Sequence, residues 1–421
     1  MQDNRVLITG IGPVTPSSIG VTEFSRAAFQ GEQGNLQKST DARGKSNRVF
    51  RVDRQALSDE AARLKLLHGR TCGVRPNSLN SLKASFVAAH HALEDSAVIS
   101  PTRSRIGDDE AHKTSIFFAA PPEFLNIGRF FERLAEPGVQ RHLAEDVGSY
   151  VSTELSRIFG AKGIVRSINA CCSSTLTCLD EAFRYLKDGT SDLALCGSVD
   201  MDFASVTEGF DDFGILLQAD QEYSPLDQGN SGLRLGEGAG ALVLERLEHV
   251  KQRGALDKVY AELLASASFA DAADRTLPNG EGLERSILSV LEQANISPAD
   301  IDFVQVHGSG NKKSDELEIR VLRKIFGDHL KDMKITANKS RYGHSMINAG
   351  FNNIAELSIS LKEDQPTPTT GIETPRDPDF PLYKLGDSYN EKSKYGIALS
   401  MGFGGINNCV LLKKWDKATE V

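Results

Sequence analysis

Three short segments carry reactive side chains at the ends of strand-like runs. Cys171 lies in Ser167–Ser174, where a β-rich segment passes into an amphipathic helix pattern. His307 follows another strand-like run, and His344 lies in a later glycine-containing turn. A cysteine that works with histidine is typical of nucleophilic acyl transfer through a thioester, and two imidazole donors suit an enolate oxygen as it develops. We therefore interpret Cys171, His307 and His344 as a candidate acyl-transfer site.

Cys171 is the predicted nucleophile because its setting is typical of a nucleophile elbow. The upstream run Gly163–Ile168 reads as a strand, and apolar residues downstream recur at helical spacing. The positive end of a helix favours a thiolate over a thiol. The alternative is a packing role, since cysteine is among the most buried residue types, and either histidine alone would be read as structural.

The elements that must position these residues alternate between strand and helix patterns, which predicts an α/β fold. Each half of the chain has a strand, a loop and a helix that deliver a reactive group, followed by a closing pair of strands. This order suggests a two-fold arrangement without a visible sequence repeat. The predicted division is residues 1–250 and 251–421, with residues 31–60 as a surface excursion and 121–145 as a cap or an interface element.

Composition narrows the class of protein. The 421 residues are 40% hydrophobic and 25% charged, as in ordinary globular enzymes. The net charge of −9 disfavours nucleic-acid binding. No apolar run approaches the roughly 20 residues that span a bilayer, and the N-terminus has no signal-peptide pattern, so we expect a cytoplasmic protein without membrane contact.

Cofactor sites are not indicated by the sequence. The six cysteines form no Cys-x-x-Cys pair, so we expect neither a metal site nor a disulfide framework. The glycine-rich run Gly232–Glu245 leads into a strand and not into a helix, which argues against a dinucleotide loop.

The chain resembles the β-ketoacyl-[acyl carrier protein] synthases over essentially its full length. Six family motifs occur in order. They are the opening Thr9–Pro16, the nucleophile motif Asn169–Ser174 (Asn-Ala-Cys-Cys-Ser-Ser, for Thr-Ala-Cys-Ala-Ser-Ser), Pro225–Asp227 with Gly236–Gly240, His307–Glu318, Lys339–Gly350 and Gly402–Asn407.

The resemblance implies a thiolase-like fold with two similar βαβαβαββ halves in five α-β-α-β-α layers. It implies that Cys171 takes an acyl group from a carrier-protein thioester. His307 and His344 would then assist decarboxylation of malonyl-carrier protein and hold the enolate oxygen. The backbone N–H groups of Cys171 and Phe403 would form the oxyanion hole, with Phe403 also gating the pocket.

The same resemblance implies supporting residues and partners. Lys339 and Glu318 would form an ion pair that orients the histidine loops. The substrate arm would contact Ser309, Asn311, Gly402 and Gly404, and the arm itself belongs to the carrier protein, so no resident cofactor or metal is expected. Partners would be an acyl carrier protein and a second subunit, as a homodimer or as a heterodimer with a related ketosynthase-like chain. Candidate docking residues for the acidic carrier are Arg63, Lys65 and Arg70.

Departures from the family pattern suggest a specialised synthase of fatty acid or type II polyketide synthesis. Asn169 and Cys172 replace Thr and Ala, and Ser309 and Asn311 replace two Thr residues. Other interpretations are a chain-length partner subunit or a decarboxylating starter enzyme, which the presence of Cys171 disfavours. A thiolase acting on coenzyme A thioesters is disfavoured because Phe403 stands where a second cysteine would be needed.

Overall fold

The computed structural model describes residues 4–40, 44–69, 72, 74, 79–121, 150–201, 204–274 and 278–419. The strands are β1 (Val6–Val14), β2 (Leu36–Thr40), β3 (Ser46–Phe50), β4 (Thr114–Ala119), β5 (Val165–Ser167), β6 (Leu193–Asp200), β7 (Gly238–Arg246), β8 (Ala261–Ala270), β9 (Phe303–Gln305), β10 (Lys334–Thr336), β11 (Tyr395–Gly402) and β12 (Ile406–Lys414). The α-helices are α1 (Val21–Gln30), α2 (Arg54–His68), α3 (Asn80–Asp95), α4 (Asp108–Ala111), α5 (Tyr150–Phe159), α6 (Ser174–Lys187), α7 (Ala204–Asp212), α8 (Leu247–Gln252), α9 (Glu281–Ala294), α10 (Lys312–Phe326), α11 (Lys339–Tyr342) and α12 (Ala349–Glu363).

Ten strands form one mixed sheet whose two halves repeat the same strand order. The order is β10-β9-β11-β12-β8-β1-β7-β6-β4-β5. Numbered within its own half, each set of five strands runs 1-5-4-2-3 outward from the junction of β1 with β8. This identity of order confirms the α/β fold with two similar halves.

The helices complete five layers. Helices α2, α3 and α5 pack on the outer face of the first half-sheet, while α6 and α12 share one core with strands of both halves. Helices α9 and α10 cover the outer face of the second half-sheet. Residues 349–361 of α12 are all buried, as expected for a helix enclosed on every side. The layers are therefore α-β-α-β-α, as the sequence resemblance implied.

Residues 31–60, predicted to be a surface excursion, contain regular structure. This segment contains the antiparallel hairpin β2–β3 and the start of α2, whose Asp53 side chain caps the helix by accepting the N–H groups of Gln55 and Ala56. Both strands are largely polar and partly exposed, so no apolar alternation marked them. Most of the predicted cap, 121–145, lies outside the described residues.

The strands end where the candidate residues begin. The cysteine turn follows β5, the His307 loop follows β9, Lys339 follows β10, and the Phe403 loop joins β11 to β12. Strands β5, β9, β10 and β11 are parallel to their neighbours in these pairings, so the loops gather at carboxyl ends of strands, where α/β sheets bind ligands. Across the described ranges, no helix is both long enough and apolar enough to cross a membrane.

Candidate active site

A cavity of about 560 Å³ collects most of the predicted residues. Its inner wall includes His307, His344 and Cys172, and its other walls come from the Phe403 loop and from the start of α10. A volume of this size lies in the range of small-molecule sites. The cavity is therefore the candidate active site.

The two histidines face each other as neutral imidazoles. Their ring centroids lie 5.4 Å apart at an interplanar angle of 77°. Burial, with the nearby Lys339 ammonium, lowers the pKa of His344 to about 3 and that of His307 well below its usual range. His344 Nδ1 accepts the N–H of Met346 at 3.1 Å. A neutral ring that accepts through Nδ1 carries its proton on Nε2, so His344 can donate a hydrogen bond from that nitrogen.

Glu318 and Lys339 hold the backbone at His307 from two sides. The Glu318 carboxylate accepts the N–H groups of His307 and Gly308 at 2.6 and 2.9 Å, and the Lys339 ammonium donates to the carbonyl oxygen of His307. Burial raises the pKa of Glu318 and lowers that of Lys339. Within the described part of the chain the two side chains form no direct ion pair, in contrast to the implied Lys339–Glu318 contact. Instead, both form hydrogen bonds with the backbone at His307.

The cysteine turn is held by hydroxyl groups. Ser174 Oγ accepts the N–H of Ala170 at 2.8 Å and donates to the carbonyl oxygen of Cys171 at 2.6 Å. Ser400 Oγ donates to the carbonyl oxygen of Cys172 at 2.7 Å. The Ser174 hydrogen bonds connect positions within the turn, and the Ser400 hydrogen bond connects the turn to β11. Together they fix the backbone at the two cysteines.

Cys171 occupies the sharp turn between β5 and α6, and Cys172 follows it on the cavity wall. Cys171 has a φ of 50°, in the left-handed region, and is exposed. Its N–H donates to Asn169 Oδ1 at 3.2 Å, and Cys172 is 5% exposed and lines the cavity. A strained, exposed turn between a strand and a helix is typical of a nucleophile elbow, so the nucleophile role of Cys171 stays a prediction.

Burial disfavours a thiolate at both cysteines. It raises the pKa of the Cys172 thiol to about 12, partly offset by the Lys339 ammonium and by the N–H of Phe403. Partial burial also raises the pKa of Cys171. The thiolate expected from the helix end is thus not the resting form of either cysteine, and Cys172 is buried, whereas reactive cysteines are usually partly exposed.

The Phe403 loop closes against the cysteine turn. A Cβ added at Gly402 would lie 2.8 Å from the carbonyl oxygen of Ala170, so only glycine allows this approach. The Phe403 ring packs edge-on against Phe210 of α7, with centroids 5.5 Å apart. Gly402, Phe403 and Gly405 line the cavity. Gly404, predicted as a substrate contact, is described by the structure but does not line it.

Ser309 and Asn311 both line the cavity, as expected for substrate contacts. Ser309 Oγ accepts the N–H of Asn311 at 3.1 Å. Asn311 Oδ1 caps α10 by accepting the N–H groups of Lys313 and Ser314, which leaves the amide Nδ2 as its donor toward the cavity. A hydrogen-bonding role for Asn311 stays a prediction.

Docking residues and metal ligands complete the predicted set. Arg63 pairs with Glu60 and does not line the cavity, and neither does Lys65; Arg70 lies outside the described residues. Among the residues that the structure describes, no group of three or more His, Cys, Asp or Glu could hold a metal ion. The absence of a resident cofactor stays a prediction.

Sequence reasoning missed the cavity residues Phe213, Lys312 and Lys313, and also Phe210, which packs against the Phe403 ring. The two lysines occupy positions that the His307–Glu318 motif leaves open, so the motif gave no signal for them. Nothing in the sequence alone placed α7 beside Phe403.

Comparison with known proteins agrees with this geometry. The family model of the β-ketoacyl synthase N-terminal domain matches residues 3–250, and that of the C-terminal domain matches residues 260–373. A polyketide β-ketoacyl synthase 1 from Streptomyces halstedii is 32% identical, with 98% of each chain covered. A 3-oxoacyl-[acyl-carrier-protein] synthase 2 from Staphylococcus aureus is 26% identical, with 99% of each covered.

Solved structures give the same result. The ishigamide ketosynthase/chain length factor superposes with a TM-score of 0.83 at 26% identity, covering 98% of this chain and 99% of that one. A type II polyketide ketosynthase in complex with its acyl-carrier protein superposes with a TM-score of 0.82 at 24% identity, covering 99% and 100%, and supports the fold alone. With two family models spanning most of its length and a cavity built by their motifs, the chain belongs to the β-ketoacyl synthase family.

Proposed function

We propose that the protein condenses malonyl-[acyl carrier protein] with an acyl group held as a thioester on Cys171, in a specialised fatty acid or type II polyketide pathway. As a family member it is an acyl-transferring enzyme that forms carbon–carbon bonds. The observation that carries the proposal is the strained, exposed turn at Cys171, which adjoins Cys172 on the cavity that His307, His344 and Phe403 also line.

The first step is acyl transfer. Cys171 rests as a thiol, because partial burial raises its pKa. Attack of its sulfur on the carrier thioester forms the new carbon–sulfur bond as the carrier's carbon–sulfur bond breaks, and the thiol proton passes through a neutral imidazole to the departing carrier thiol. The Phe403 N–H belongs to the loop that closes against the cysteine turn, and we assign it to stabilising the oxyanion formed there.

The second step is decarboxylative condensation. The malonyl carbon–carbon bond breaks to release CO₂, and its electron pair becomes an enolate. His344, with its proton on Nε2, donates to the enolate oxygen, and His307 is the second donor. The enolate carbon attacks the acyl-Cys171 carbonyl, the carbon–sulfur bond breaks, and the β-ketoacyl-carrier product leaves as Cys171 regains a proton.

His307 has an unsatisfied polar atom where substrate would lie. The residue is 3% exposed, and its Nδ1 has no hydrogen-bond partner in the described structure. A buried polar atom without a partner is costly. A substrate oxygen or a proton in transfer would satisfy it, which supports a catalytic role over a structural one.

The partners follow from this chemistry. We propose an acyl carrier protein as substrate donor and a second ketosynthase-like subunit, in a homodimer or a heterodimer. A similar protein is described as a ketosynthase/chain length factor, and another is in complex with its acyl-carrier protein. Strand β5 is at the end of the sheet, with Arg166 and Ser167 exposed, and such an edge can pair with a second chain.

The remaining features of the proposal are simpler. We propose that no resident cofactor takes part, because each proton and electron pair in the two steps is supplied by the thiol, the imidazoles or the substrates. A cytoplasmic location stays a proposal, which fractionation of the source cells would test.

The test of the proposed function is product formation. Wild-type protein is loaded from a panel of acyl-carrier proteins, malonyl-carrier protein is added, and carrier-bound products are identified by mass spectrometry. We expect a β-ketoacyl product with the wild type and with Cys172→Ala, and none with Cys171→Ala. If a second subunit must be added before any product forms, the heterodimer is required. If Cys171→Ala condenses as fast as wild type, the proposal fails.

A further inference from the structure

Two lysines lie at the outer part of the cavity, and the proposed reaction gives them no role. Lys312 and Lys313 are the first two residues of α10, and both are exposed. They line the same cavity as His307 and His344. A ligand that reaches the histidines is therefore within the same enclosure as both ammonium groups.

The start of α10 does not itself need these charges. The positive end of a helix favours anions, so cations in the first turn oppose the helix dipole. The capping there is done by Asn311, whose Oδ1 accepts the N–H groups of Lys313 and Ser314 at 3.1 and 3.4 Å. Binding of an external anion therefore explains two adjacent lysines at this position better than a contribution to helix stability does.

Ion pairs within the chain leave this charge largely available. Lys312 Nζ lies 3.9 Å from Glu316 Oε1, and Arg376 competes for the same oxygen at 3.8 Å. Lys313 has no ion-pair partner among the described residues. Asp274 also lines the cavity, so the outer wall carries two positive side chains and one negative.

We propose that Lys312 and Lys313 bind the phosphate of the phosphopantetheine arm while its thioester lies beside His307 and His344. The inference rests on the proposed function, because it takes the substrate to be a carrier-bound thioester. That arm has its reacting group at one end and its phosphate at the other. The buried, unpartnered Nδ1 of His307 marks the inner end of the site, and the lysines supply positive charge at the outer end.

A comparison of two small substrates tests this assignment. Acyl-phosphopantetheine and acyl-pantetheine differ only in the phosphate, and neither carries the protein surface of a carrier. We expect the variant Lys312→Ala/Lys313→Ala to raise KM for acyl-phosphopantetheine about tenfold with kcat unchanged, since each charge-assisted bond to phosphate is among the stronger hydrogen bonds. KM for acyl-pantetheine should not change. The difference should shrink at high salt.

A matched control is available beyond the other end of the same helix. Lys331 is exposed and is separated from Lys312 by the whole of α10, so Lys331→Ala removes an equal charge away from the cavity and should leave both KM values unchanged. Equal effects of the double variant on the two substrates would overturn the proposal. An effect seen only with the intact carrier protein would also overturn it, and would assign the lysines to the acidic protein surface.

A binding measurement separates this inference from the proposed function. Calorimetric titration with phosphopantetheine and with pantetheine requires no turnover. A preference of wild type for the phosphorylated arm that the double variant loses supports the phosphate site even if no condensation is found. Equal affinity of wild type for both arms refutes the site even if condensation occurs.

Discussion

The contact between Phe210 and Phe403 should control access to Cys172. The two rings meet edge-on with centroids 5.5 Å apart, and in this arrangement Cys172 is 5% exposed. An aromatic pair of this geometry is worth about 0.5–1.5 kcal/mol beyond area burial. Phe210→Ala removes the contact, so the equilibrium between closed and open positions of Phe403 should shift about 2- to 13-fold toward open.

The assay is the rate of Cys172 alkylation by iodoacetamide in a Cys171→Ala background. This background leaves Cys172 as the one cysteine that lines the described cavity. We expect Phe210→Ala to accelerate modification by the same 2- to 13-fold, and Phe210→Tyr, which keeps the ring, to react at the rate of the Cys171→Ala parent. Unchanged alkylation in Phe210→Ala, in a variant that remains folded by circular dichroism, would refute the idea that this pair holds the gate.

Three further outcomes are expected. Gly402→Ala should lower the free energy of unfolding by about 1–3 kcal/mol and slow acylation, because its Cβ would lie 2.8 Å from the Ala170 carbonyl oxygen. Denaturant titration measures the stability and a kinetic assay measures acylation. Full activity of the variant would contradict the close approach. The buried pair His68 and His90, joined at 3.0 Å, should make stability depend on pH. Burial lowers the pKa of His68 to about 4 and that of His90 to about 3. The free energy of unfolding should therefore be highest above about pH 6.5 and fall as the pH drops toward about 4, by up to ~1.4 kcal/mol per pH unit for each histidine. A free energy of unfolding that stays constant across this pH range would contradict the neutral pair. Exhaustive treatment with a chelator should leave condensation unchanged, and loss of activity that added metal restores would contradict the cofactor-free mechanism.

Much of the fold could be predicted because apolar spacing reports burial directly. The helical spacing after Cys171 corresponds to α6, and the strand-like runs before Cys171 and His307 are β5 and β9. The hairpin β2–β3 was missed because its strands are polar and mostly not buried. Periodicity carries no signal for a strand that does not bury one face.

The site was predicted in its residue types and in part of its geometry. His307, His344, Ser309, Asn311, Gly402 and Phe403 were named from motifs, and all line the cavity. The motif Asn-Ala-Cys-Cys-Ser-Ser places Cys171 at the position of the family cysteine and Cys172 at that of an alanine. The left-handed φ of 50° at Cys171 could not be predicted, because a dihedral angle at a non-glycine residue is not written in the sequence.

The supporting contacts were also beyond the motifs. Lys339 and Glu318 were expected to pair with each other, yet both bind the backbone at His307. Two oppositely charged residues in the motifs of one site are expected to lie close together, but the motifs do not predict which of their atoms form contacts. Only the fold brings β10 beside β9 and so places Lys339 at the His307 carbonyl.

The measurement that tests the account most directly is the position of the acyl group. Wild type, Cys171→Ala and Cys172→Ala are incubated with the best acyl-carrier substrate and then digested. Fragment-ion mass spectrometry of the peptide that contains both cysteines locates the thioester. We predict an acyl group on Cys171 in wild type and in Cys172→Ala, and none in Cys171→Ala. An acyl group on Cys172 in wild type that persists in Cys171→Ala would contradict the proposal.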